Sequence, residues 1–147
     1  MTPTVLIAVH DSAAAFAAAE AAIELAARLG DSVHAVMVHE PPAEPSGAAL
    51  PAQVPRSRVG PVFAHLSALA ERAAVPLTTE EANGAVTRVV LDRIEAVGAE
   101  FVVVAAADRP GSAIPHLGSH TLRILEFSPV PVLVVPSGGE HHGGVGT

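Results

Sequence analysis

The sequence contains no cysteine and no tryptophan or tyrosine, and all eight of its positively charged residues are arginines, so lysine is absent as well. Without cysteine the chain cannot form a disulfide bond, a thiolate metal site or a thiol nucleophile. Without lysine it offers neither a Schiff-base amine nor the phosphate-contacting lysine of P-loop proteins. These absences exclude several classes of covalent and phosphate-transfer enzyme.

Positive charge and long apolar runs are also scarce. Fifteen acidic residues stand against eight basic ones, a net charge of −7, which disfavours binding to nucleic acid or to an anionic membrane surface. No apolar run approaches the roughly 18 residues needed to cross a bilayer, and the first residues lack the pattern of a signal peptide. We therefore expect a cytoplasmic protein with no nucleic-acid and no membrane partner.

Half of the 147 residues are hydrophobic, which is enough for one domain with a sizeable core. Strand-like and helix-like segments alternate along the chain. Short apolar runs predict strands at 5–9, 32–38, 75–80, 101–104 and 130–135, and amphipathic segments predict helices at 13–29, 61–73, 85–97 and 119–127. The proline-rich stretch 41–60 is predicted to be a mobile loop, and residues 137–147 a disordered tail.

Strands that alternate with single helices form right-handed βαβ units, whose strands are parallel. The sequence therefore predicts one α/β domain over residues 1–136, an open, parallel, five-stranded sheet in three layers of the Rossmann-like kind. Pro76 and Pro131 place the third and fifth strands at the edges, because proline lacks one ladder donor. The last helix is expected to contribute Leu122, Leu125 and Phe127 to the core.

The segment from the fourth strand to the last helix is the strongest candidate for a binding site. A buried strand is followed by a loop that contains glycine and then by a helix that begins near Ser119. The free N–H groups of a helix N-terminus attract anions, and ligands of doubly wound sheets bind beyond the carboxyl ends of the strands. A tight turn and a helix cap would account for the same residues without any ligand.

Four parts of the sequence resemble the universal stress protein family. They are the opening VLIAVHDS, the HEP after the second strand, the block GAVTRVVLDRIEAVGAEFVVVA and the closing GSHTLRILEFSPVPVLVVP. The resemblance covers nearly the whole chain and implies the adenine nucleotide alpha hydrolase-like form of the fold. It also implies a cytoplasmic stress-response protein that works as a non-enzymatic homodimer.

The resemblance implies binding residues for an adenine nucleotide. The family's Gly-x-x-Gly, nine residues, Gly-Ser/Thr motif falls on Ala105, Asp108, Gly118 and Ser119, so both of its first two glycines are replaced. The family's nucleoside-contacting Asp falls on His10, its Ser on Ser12 and its adenine-contacting Val on Val38. The remaining candidates are neighbours of these positions: Val9, Arg109 and His120.

The departures from this motif bear on ATP binding. Ala105 and Asp108 restrict the positive φ and the close backbone approach that glycine permits, and Asp108 adds a carboxylate near the phosphates. Arg109 could offset this by holding a phosphate bidentately. We therefore expect weak or no ATP binding, and the alternative is an adenine-nucleotide-binding switch with the same fold.

A third interpretation is a small metal-dependent or hydrolytic enzyme. His10, His116 and His120 all lie at the predicted carboxyl edge of the sheet, where neutral imidazoles could bind a metal ion. Polar loop residues without a ligand would show the same pattern, and no complete catalytic triad or other enzymatic motif is present. We therefore expect no enzymatic activity, although weak ATP hydrolysis stays open.

The fifth strand suggests how the homodimer forms. The residues from Val130 to Val135 are almost all apolar, and an open apolar edge strand is a template for pairing with another chain. A two-fold related copy would close this edge. Other protein partners are expected, but the sequence does not identify them.

Overall fold

The computed structural model describes residues 3–9, 13–40, 59–106 and 119–136. Most of the proline-rich stretch predicted as a loop, the connection 107–118 and the predicted tail 137–147 lie outside these residues. The described residues contain five strands and four helices: β1 (Thr4–Val9), α1 (Ala13–Leu29), β2 (Ser32–His39), α2 (Val59–Ala73), β3 (Leu77–Asn83), α3 (Val86–Val97), β4 (Ala99–Ala105), α4 (Ser119–Phe127) and β5 (Val132–Val135). Within the same residues, no helix has the length and apolarity that a membrane span requires.

The five strands form one parallel sheet in the order β3-β2-β1-β4-β5. This arrangement confirms the predicted single-domain α/β fold and places β3 and β5 at the two edges, as the sequence indicated. Gly30 and Gly98 end α1 and α3 with φ of 75° and 64°. At Gly98 the left-handed conformation lets its N–H reach the carbonyl groups of Ile94 and Glu95, which are left free at the helix end.

Alternate residues of the central strands point into two cores, one on each side of the sheet. Val5, Ile7 and Val9 of β1 pack on the side covered by α1 and α2, where Leu66 is fully buried. Leu6 packs on the opposite side with α3 and α4. The strands β1 and β4 are apolar along most of their length because both of their faces are covered.

Several element boundaries differ from those predicted, among them the starts of β3, β5 and α2. The third strand begins at Leu77, after Pro76, and the fifth begins at Val132, after Pro131. Each proline carbonyl nevertheless accepts a hydrogen bond from the neighbouring strand, Pro76 from Val33 at 2.8 Å and Pro131 from Val102 at 3.0 Å. The prolines therefore lead into the strands, where no N–H is needed. Helix α2 begins at 59, inside the segment predicted as loop.

The prediction for the face of α4 was wrong. Leu122, Leu125 and Phe127 are 52%, 40% and 61% exposed, whereas Thr121 and Ile124 are buried. Two residues three positions apart lie on one side of a helix, so this short helix contacts the rest of the chain through a narrow stripe. The three large side chains fall outside that stripe.

A pair of carboxyl groups lies at the opposite, amino end of the sheet. Asp31 is only 4% exposed and one of its carboxylate oxygens has no hydrogen-bond partner. A hydrogen bond with Asp31, burial and the negative charge of Asp31 raise the pKa of Glu100 above its ordinary 4.5. The pair therefore contributes stability when Glu100 is protonated, and this contribution is lost as pH rises through its folded-state pKa.

Replacing Glu100 by Gln is expected to raise the melting temperature at pH 7.5. The neutral amide removes the repulsion and can donate a hydrogen bond to Asp31 at every pH. The advantage should disappear below pH 4.5, where Glu100 is protonated in both the folded and the unfolded chain. Thermal unfolding followed by circular dichroism measures the effect, with Glu71→Gln on the exposed surface of α2 as the control. An equal advantage at both pH values would contradict the assignment.

Candidate functional site

The direction in which strands are added reverses beside β1. From β1 the chain proceeds to β2 and β3 on one side, and then crosses to β4 and β5 on the other. The helices that follow β1 and β4 cover opposite faces of the sheet, α1 on one and α4 on the other. In open parallel sheets such a reversal leaves a crevice beyond the carboxyl ends of the two strands, and this is where ligands bind.

Helix α4 is fixed to the carboxyl end of β4 by a buried hydrogen bond. The hydroxyl group of Thr121 donates to the carbonyl oxygen of Ala105 at 3.4 Å, and Thr121 is only 6% exposed. At the strand's end, the N–H of Ala106 donates to the carbonyl of Val135 at 2.9 Å. The first contact holds the start of α4 at the carboxyl end of β4, and the second pairs the end of β4 with β5. Thr121 was not recognised as a positioning residue from the sequence.

Three predicted site residues lie on strands that reach this edge. Val9 and Ala105 are 3% and 8% exposed, and both side chains pack in the core beneath α1 and α2. Val38 is half-buried on the other face, against the core beneath α3 and α4. The side chains of Val9 and Ala105 therefore belong to the core, and Val38 is the partly accessible apolar member of the three.

Two further predicted residues begin α4. Ser119 and His120 are both exposed. The first N–H groups of a helix have no partner within it and carry the positive end of its dipole, so this turn is suited to an anion. The remaining predicted site residues, His10, Ser12, Asp108, Arg109 and Gly118, lie outside the described residues.

Glu40 joins the carboxyl end of β2 to two helix N-termini. Its Oε2 accepts a hydrogen bond from the backbone N–H of Val86, the first residue of α3, at 3.3 Å. Its Oε1 lies 3.5 Å from Nε2 of His120 on the first turn of α4. Glu40 was not among the binding residues predicted from the sequence. The strand alternation gives the missing signal, because Val36, Val38 and Glu40 fall on one face of the strand path.

The histidines do not gather around one point in the part of the chain that the structure describes. His39 Nε2 lies 2.9 Å from Oε1 of Glu81 on β3, whereas His120 faces Glu40. Across the described ranges, no group of three or more His, Asp or Glu side chains is arranged to hold a metal ion. His10 and His116, on which the enzymatic interpretation also depends, are outside those ranges.

A separate charged cluster connects β2, β3 and α3 away from the crevice. Nε of Arg93 donates to both carboxylate oxygens of Glu80 at 2.9 Å, and its Nη2 also contacts Oε2. Nε2 of His34 hydrogen-bonds to Oε1 of Glu80 at 2.8 Å, and Nδ1 of the same ring hydrogen-bonds to the Thr78 hydroxyl group at 2.7 Å. Hydrogen bonds from Arg93 above all lower the pKa of Glu80 to about 2. This cluster has a structural role.

The sequence and the fold both match known proteins. The model of the universal stress protein family matches residues 1–136. Comparison of the sequence with curated proteins gave no significant match.

Several solved structures share the fold at low sequence identity. A universal stress protein in complex with cAMP has a TM-score of 0.69 and 17% identity, over 92% of this chain and 98% of the other. The Archaeoglobus fulgidus protein in complex with dAMP gives 0.63 and 16%, over 92% and 98%. A family protein from Arabidopsis thaliana with AMP bound gives 0.65 and 16%, over 97% of both chains.

Proposed function

The chain belongs to the universal stress protein family, and we propose on this basis that it is a cytoplasmic, non-enzymatic stress-response regulator whose crevice binds an adenine nucleotide weakly. The observation that carries the proposal is the position of α4. Thr121 fixes the first turn of this helix at the carboxyl end of β4, beside the strand reversal. The absence of lysine and cysteine supports a regulatory rather than a catalytic role.

The described residues fit a nucleotide at this edge. Ser119 and His120 are exposed residues that begin a helix, so their backbone N–H groups have no partner within the helix, and Ser119 adds a hydroxyl group; these groups would hold a phosphate. Val38 offers an accessible apolar side chain for the base. The three relatives solved as complexes hold cAMP, dAMP and AMP.

A nucleoside monophosphate fits this chain better than ATP. The carboxylate of Glu40 already lies at the first turn of α4, 3.5 Å from the ring of His120. Each additional phosphate adds negative charge that this carboxylate repels. ATP is therefore expected to bind no more tightly than AMP.

We also propose a homodimer that forms through β5. None of the four residues of β5 is buried, although all are apolar, and Leu133 is 42% exposed. The neighbouring strand β4, by contrast, is buried along its last four residues. Pairing with the same strand of a second copy would give hydrogen-bond partners to the backbone N–H and C=O groups along the free edge of β5, and it would cover these side chains.

Native mass spectrometry of the full-length protein tests both parts of the proposal. We expect a mass of two chains, and after addition of AMP a second species heavier by one nucleotide per chain. The same experiment with GMP is the control for recognition of the base. A single-chain mass at micromolar concentration would contradict the dimer, and no AMP adduct at millimolar nucleotide would contradict the binding function.

A further inference from the structure

Glu40 is an acidic residue that contacts the N-termini of two helices, α3 and α4, which pack on the same face of the sheet. Its two carboxylate oxygens contact different helices, Oε2 the Val86 N–H of α3 and Oε1 the His120 ring of α4. Its side chain is 40% exposed and that of His120 is 51% exposed. The contact with α4 can therefore be reached by a ligand from solvent.

The contact with α3 explains why a carboxylate stands at this position. The residue before α3 is Ala85, which has no side-chain acceptor, and no side-chain cap bonds the start of the helix from within its own segment. Glu40 instead supplies the acceptor from the end of β2. An anion at a helix N-terminus is favourable because of the free N–H groups and the helix dipole.

We propose that Glu40 also determines which ligands bind, acting as an internal anion that competes with ligand phosphates for the first turn of α4. This inference rests on the nucleotide-binding function proposed above and specifies its regulation by charge. The carboxylate of Glu40 offsets part of the positive potential at the first turn of α4 and already contacts the imidazole ring of His120 on that turn. A phosphate that approaches the same turn must displace the carboxylate or bind beside it.

The energetic consequence depends on ligand charge. A carboxylate and a phosphate within about 6–8 Å of each other in a partly exposed crevice repel enough to change affinity by roughly threefold to tenfold for each full charge. Adenosine carries no phosphate and feels none of this repulsion, whereas AMP and ATP feel it increasingly. A purely structural cap would instead affect all three ligands equally.

The test is isothermal titration calorimetry of the full-length protein with adenosine, AMP and ATP, for the wild type and Glu40→Gln. The glutamine retains an oxygen acceptor for the Val86 N–H and removes the charge. We expect AMP to bind roughly threefold to tenfold more tightly to the variant, ATP to gain more than AMP, and adenosine to be unchanged. Glu81→Gln is the matched control. It removes one carboxylate charge in the same way, but Glu81 lies on the outer strand β3 and pairs with His39 of β2 instead of with α4.

The outcomes separate this inference from the proposed function. Equal affinities of the wild type and Glu40→Gln for AMP would overturn the role of Glu40 and leave nucleotide binding intact. A gain of the same size with adenosine, or with Glu81→Gln, would also overturn it. If no ligand binds either protein, the binding function itself fails. Thermal unfolding of each variant shows whether the fold is retained.

Discussion

Replacing Ile124 by Ala is expected to destabilise the protein by about 3 kcal/mol. Ile124 is 2% exposed and is the large side chain that α4 buries in the core beneath α3 and α4. The substitution removes three methyl or methylene groups and leaves a cavity that the surrounding strands fill only in part. Chemical denaturation at equilibrium, followed by circular dichroism, measures the loss.

The matched control lies two residues away on the same helix. Leu122 is 52% exposed, so Leu122→Ala should change the free energy of unfolding by no more than about 0.5 kcal/mol. If the two variants lose similar stability, α4 packs through a different face from the one described. The comparison also concerns the site, because Ile124 holds in place the helix whose first turn borders the crevice.

Replacing Arg93 by Met is expected to cost about 1–2 kcal/mol at pH 7. The guanidinium group is the main cause of the low pKa of Glu80, about 2 against an ordinary 4.5. A pKa difference of that size would correspond to about 3 kcal/mol of folding free energy if solvent did not screen the interaction. The charged groups are one quarter to one third exposed, so screening by solvent reduces the contribution.

The effect has a defined pH dependence. Because the folded-state pKa of Glu80 is depressed, its contribution is fully present above pH 4.5 and is lost as pH falls toward 2. The stability difference between the wild type and Arg93→Met should therefore shrink over that range. Urea denaturation at a series of pH values gives this difference, and Arg88→Met on the same helix is the control. A difference independent of pH would show that Arg93 acts through its packing alone.

Much of the fold follows from short-range patterns in the sequence. The apolar run from Phe101 to Val104 is long enough for a strand and too short for a helix, and α1 and α4 occupy the predicted residues. Gly30 and Gly98 end their helices because only glycine adopts the left-handed conformation at little cost. The handedness of βαβ units then leaves few arrangements of the sheet.

Predictions for individual side chains were less reliable. The apolar character of α4 indicated a buried helix, but Leu122, Leu125 and Phe127 are exposed. Which face of a short helix is buried depends on where it docks, and its own nine residues contain too few turns to decide this. The charged cluster was missed for a similar reason, since His34 and Glu80 are 46 residues apart in the sequence.

Local periodicity and chain connectivity were therefore sufficient to predict the succession of elements, the parallel sheet and the residues that end the strands at its carboxyl edge. Strand alternation places Glu40 on the same face as Val38, but which polar groups meet at this edge was decided by the three-dimensional packing. Glu40 follows β2, and His120 begins α4 after β4, so their encounter depends on the packing of α3 and α4 against one face. Such contacts between distant segments arise from packing, which no local pattern encodes.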